Sequence, residues 1–95
     1  MNKTERRKLT NKLVYKYAES LGYEVDMTET DVNFISSSGN MDDHIEYRRS
    51  SHSVCCLNWA CEKTLNDTVL IESYVDKLNS MDDNVFDIIT DLIVE

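Results

Sequence analysis

Apolar positions along the first fifth of the chain recur at intervals of three and four. Leu9, Leu13, Val14, Tyr17, Ala18 and Leu21 form one stripe, which predicts an amphipathic helix from about Thr4 to Leu21, with Gly22 as its C-terminal stop. After Gly22 the period falls to two. Tyr23, Val25 and Met27 alternate with Glu24, Asp26 and Thr28, and Val32 and Phe34 alternate around Asn33, as half-buried strands require. Ser36 to Asn40 reads as a turn by composition. Ile45 and Tyr47 then alternate with His44, Glu46 and Arg48, and a further extended run is expected from His52 to Leu57.

From Cys61 to Leu78 the two periods compete. Thr68-Val69-Leu70-Ile71 is rich in β-formers, but Leu70, Ile71, Tyr74, Val75 and Leu78 keep helical spacing, so helix is the preferred reading. In the last segment Ser80 and Asp83 have the spacing of a capping box, ahead of an apolar face of Val85, Phe86, Ile88, Ile89, Leu92 and Ile93. The expected architecture is α+β: an N-terminal helix, an antiparallel sheet of three or four strands, and two C-terminal helices packed on one sheet face. Leu13, Tyr17, Phe86 and Ile89 should be buried where the two ends of the chain close the core.

Length adds one constraint. Ninety-five residues support a single hydrophobic core, so residues 1–95 are expected to form one domain. Apolar residues make up 41%, with two glycines and no proline, which excludes disordered and collagen-like classes. No apolar run reaches the roughly 18 residues of a membrane span, and no signal-peptide pattern follows the start, so a cytoplasmic protein without membrane association is expected.

The net charge of −8 is unevenly divided: Lys3, Arg6, Arg7, Lys8, Lys12 and Lys16 against Glu5 give residues 1–16 a charge of +5, leaving −13 on residues 17–95. An acidic body repels phosphates, so direct nucleic-acid binding by it is not expected. The basic start reads as the solvated face of a surface helix that can touch phosphate or anionic lipid.

The candidate chemistry is sparse. His52, Cys55, Cys56 and Cys61 offer zinc-type ligands within ten residues, but adjacent Cys55 and Cys56 point to opposite faces of a strand and no C-x2-C pair is present. Metal is therefore not expected, and one or two of the cysteines read as small core residues. A Cys–His nucleophile built on His44 or His52 has no specific support. Asp42-Asp43 and Asp82-Asp83 read as turn and helix-start residues rather than as an acid–base pair. With no nucleotide or metalloprotease motif, neither a cofactor nor an enzymatic activity is expected.

The most informative feature is an acidic row. Asp83, Asp87, Asp91 and Glu95 are spaced by four on the last helix, and Glu72 and Asp76 repeat the spacing on the helix before it. A rise of 1.5 Å per residue separates successive carboxylates by about 6 Å along the axis. Successive phosphates on one nucleic-acid strand lie at a similar spacing, roughly 6 to 7 Å. Like charges at i,i+4 cost a few tenths of a kcal/mol per pair, a local cost that imitation of phosphate would explain, although an acidic protein also presents such rows as plain solvated faces.

In the order of its elements, and in the acidic row from Asp83 to Glu95, the chain resembles small phage-encoded inhibitors of host defence of the anti-CRISPR and anti-restriction kind. The resemblance implies a non-enzymatic inhibitor in the host cytoplasm that occupies the nucleic-acid channel of a nuclease or related enzyme, presenting carboxylates in place of phosphates. Its partner would be a protein that normally binds nucleic acid. The +5 start departs from a uniformly acidic mimic. The competing readings are an adaptor or small chaperone that offers an apolar groove or strand edge, and a thiol or zinc regulator built on the cysteines.

Overall fold

A computed structural model describes residues 2–26, 29–37, 40–56 and 62–93. The elements run α1 (Lys3–Ser20), β1 (Tyr23–Asp26), β2 (Val32–Ser37), β3 (Asn40–Arg48), β4 (Ser53–Cys56), α2 (Glu62–Ser80) and α3 (Asp83–Ile93). The fold is α+β, with the strands in a sequential antiparallel meander, β1-β2-β3-β4.

Local chemistry sets the ends of α1. The Asn2 side chain accepts the Glu5 N–H at 2.8 Å, and at the other end Gly22 takes φ +94°, where a side chain would be strained, while its N–H bonds the Glu19 carbonyl.

The register shows which sheet face is covered. Val25, Ile35, Ile45 and Cys56 lie side by side, as do Asn33, Tyr47 and Val54, and directly opposed residues share a face. Leu13, Val14 and Ala18 of α1, Ile71, Val75 and Leu78 of α2, and Phe86 of α3 join Tyr23, Ile35, Ile45 and Tyr47 from this face in one buried cluster.

The structure corrects several expectations. In β2 the inward residues are Asn33 and Ile35, whereas Val32 and Phe34 sit half-buried on the other face. Asn33 tolerates full burial because its Nδ2 donates to the Tyr15 hydroxyl, and Ile35 fits between Val25 and Ile45. Ser36, Ser37 and Asn40 belong to strands rather than a turn, and Asp42 and Asp43 lie within β3; Ser38 and Gly39 fall outside the described residues. The extended run begins at Ser53, not His52, and Leu57 is outside the described residues.

Residues 62–80 are helical, but Leu70 is exposed, because the α2 face packed on the core runs through Thr64, Thr68, Ile71, Val75 and Leu78. Ser80 does not cap α3: its hydroxyl donates to the Lys77 carbonyl. Asp82 is the cap, its carboxylate taking the Val85 N–H at 2.9 Å and its carbonyl the Phe86 N–H. Of the expected core, Leu13 and Phe86 are fully buried, while Tyr17 and Ile89 are half-buried; Tyr17 stacks on Tyr74 with centroids 4.5 Å apart. Val85 and Ile88 face outward rather than into the core.

Candidate functional site

The acidic row must be built from α3 itself. Residues four apart advance about 400° around a helix, so each step turns the row by about 40°. Asp83 therefore starts near the side of Phe86, and Asp91 ends well away from it.

Asp83 is also committed internally. Arg6 of α1 reaches the α2–α3 junction, where its guanidinium pairs with the Asp83 carboxylate at 2.5 Å and donates to the carbonyls of Leu78, at 3.1 Å, and Met81. The same group lies 4.6 Å over the Phe86 ring. Asp83 thus positions α3 on α1 as much as it faces outward. Asp87 and Asp91 are exposed on α3, and Glu72 and Asp76 on α2; Glu95 lies outside the described residues.

An apolar strip borders this row, which its charge pattern alone did not reveal. Val85 and Ile88 are three residues apart, and so are Ile88 and Asp91, so all three are neighbours on the helix surface with Asp87 beside Asp91. Ile88 is 61% exposed. On α2, Val69 is 62% exposed.

The other pole surrounds α1. A polar and aromatic chain runs beneath it: the Tyr47 hydroxyl donates to Asn11 Oδ1 at 2.7 Å and receives His52 Nδ1–H at 2.8 Å, and Tyr15 meets Tyr47 edge-on with centroids 6.0 Å apart. Burial pushes the Tyr47 hydroxyl far above its usual range, with Tyr15 and Asp31 adding to the effect. Burial raises Tyr15 too, against the opposing pull of Arg49 and the Asn33 hydrogen bond. His52 is lowered, first by burial and then by the Arg7 charge. It also holds φ +53°, the left-handed region, at the turn between β3 and β4. A cavity of about 170 Å³ beside it is lined by Lys3, Arg6, Arg7, Thr10, His52 and Asn79. Sequence spacing could not find this pole, because its members come from α1, β2, β3 and the β3–β4 turn.

The cysteines divide as a strand requires: Cys55 is exposed on the outer face and Cys56 buried on the inner one. His52 is engaged with Tyr47, and Cys61 lies outside the described residues. Among the described residues no three His, Cys, Asp or Glu side chains converge in a geometry suited to a metal ion. No described helix is long and apolar enough to cross a membrane. Comparison with protein families, curated proteins and solved structures found no match to this chain.

Proposed function

We infer that this is a non-enzymatic binding protein that inhibits a nucleic-acid-handling partner, a nuclease or defence effector, by seating α3 in the partner's basic channel. The observation that carries the reading is the surface of α3, where Asp87 and Asp91 stand exposed beside the exposed Ile88 and Val85. Carboxylates placed four residues apart can meet phosphate-binding Lys and Arg groups, while the adjoining apolar side chains add the desolvated contact that a phosphate backbone does not offer. Glu72 and Asp76 offer a second, exposed pair of carboxylates on α2. Asp83 shares its carboxylate with Arg6 and, at 56% exposed, also faces outward.

A second reading, an adaptor that holds a partner by apolar contact, draws on the exposure of Val69 and Leu70 on α2. A strand-edge version has less support, since the edge strands β1 and β4 are four residues each.

The test is to capture the partner from the source cell and compare its affinity for the parent protein and for Asp87→Lys/Asp91→Lys. Both positions are exposed, so the fold should survive. The inhibitor reading expects at least about a tenfold loss, together with weakening as salt rises. Unchanged affinity, with loss instead in Val69→Ser/Leu70→Ser, would favour the adaptor.

A further inference from the structure

Lys8 and Lys12 stand four residues apart on α1, so their side chains rise from one face about 6 Å apart along the axis. Opposite them is the turn after β3, which carries Arg49. That turn is tied to the start of β2: the Arg49 N–H bonds the Asp31 carbonyl at 2.9 Å, and the Asp31 carboxylate takes the Ser50 N–H at 2.8 Å and the Ser50 hydroxyl. The Ser50 hydrogen bonds, with Arg49 and Arg48 nearby, hold the Asp31 carboxyl below its usual range.

Between helix and turn lies an open cleft of about 360 Å³, lined by Lys8, Asn11, Lys12, Tyr15 and Arg49. That size falls within the roughly 300 to 1,000 Å³ of small-molecule sites. Three of its five lining residues are cations. Lysine side chains carry apolar methylene stems below their charge, and the Tyr15 ring is held by Tyr47 and by the hydrogen bond from Asn33. Asn11 has its Oδ1 taken by Tyr47, so its amide nitrogen is the group left to donate.

Such a cleft suits an anionic group joined to a flat unsaturated body. Length decides between a single nucleotide and a strand. The screening length at physiological salt is about 8 Å, whereas the molecule extends 39 × 26 × 22 Å. A mononucleotide stays within reach of Lys8, Lys12 and Arg49, but a strand long enough to leave α1 would run out over residues 17–95, which carry −15 once Arg48 and Arg49 are set aside.

We propose that this cleft is a nucleoside-monophosphate site, with the phosphate held among Lys8, Lys12 and Arg49 and the base laid against Tyr15. The site is separate from the α3 surface, and either can fail without the other.

The test is a titration of the ¹⁵N-labelled 95-residue chain with adenosine 5′-monophosphate, followed by amide resonances. Saturable shifts are expected at residues 8–15 and 48–50, and Lys8→Gln/Lys12→Gln, both exposed positions, should bind at least about tenfold more weakly. Asp87→Lys/Asp91→Lys should bind the nucleotide as the parent does or somewhat more tightly. Absence of shifts up to about 10 mM, a concentration that detects even millimolar affinity, would overturn the proposal. Equal affinity for inorganic phosphate would overturn it by removing any role for the base. Tighter binding of a ten-nucleotide single strand would overturn it in favour of a polymer surface, and undiminished affinity in the lysine variant would overturn the placement.

Discussion

Phe86 is fully buried on a short helix whose neighbouring Val85 and Ile88 face solvent, so much of the attachment of α3 to the core rests on this one ring and the guanidinium above it. Phe86→Ala should cost about 3 to 5 kcal/mol, a large share of the roughly 5 to 14 kcal/mol that a domain of this length has. The urea midpoint should fall by more than about 1 M; an unchanged midpoint would mean that α3 does not close the core. At His52 the sign of the pH effect follows from its lowered pKa. The unfolded chain takes up the proton first, so the stabilising contribution of His52 is present above its ordinary value of 6.5 and is lost as pH falls through the folded-state pKa. Asn tolerates a positive φ and has no imidazole to titrate, so thermal midpoints of His52→Asn should decline less steeply than those of the parent between about pH 7 and 5. Parallel curves would show that His52 is not the titrating group.

The attachment of α3 is also a matter of elements. Arg6 joins α1 to the α2–α3 junction by two backbone carbonyls, one carboxylate and one aromatic face, of which the carboxylate is the most exposed, at 56%. An exposed ion pair contributes little, so Asp83→Asn should lose less than about 1 kcal/mol. Arg6→Ala should lose about 1 to 3 kcal/mol, because two half-buried carbonyl hydrogen bonds and the ring contact go with it. Chemical denaturation of the two variants checks the order, and an equal loss would return the weight to the ion pair. The elements themselves were legible in the sequence. The helical period in residues 4–21 and the alternation at Ile45 and Tyr47 are strong because both faces of each pattern are chemically distinct. Asn33 misled because polarity usually marks the solvent face, and spacing does not show that Tyr15, eighteen residues away on α1, takes one of its amide protons. Val85 and Ile88 misled in the opposite sense, since α3 has more apolar residues than its contact with the core uses. Asp82 and Ser80 are both able caps, and the choice between them depends on where α2 ends.

At the scale of the whole molecule, charge is segregated: α1 and the Arg48-Arg49 turn carry most of the cations, while α2 and α3 present exposed acids. The acidic row was readable from i,i+4 spacing alone, although the engagement of Asp83 by Arg6 was not, because that pair spans 77 positions of the chain. The cationic cleft was invisible to periodicity, since Arg49 joins Lys8 and Lys12 only after the sheet has folded. Segregation also gives the functional account its sharpest consequence. If α3 enters a channel built for phosphates, the captured partner cannot hold this protein and its nucleic acid on one surface at once. The most direct measurement is binding of the partner to this protein across increasing concentrations of that nucleic acid. If α3 and nucleic acid share one surface, the apparent Kd rises in proportion to nucleic-acid concentration and no ternary complex forms. An apparent Kd that stays constant, with all three components migrating as one complex, would contradict it.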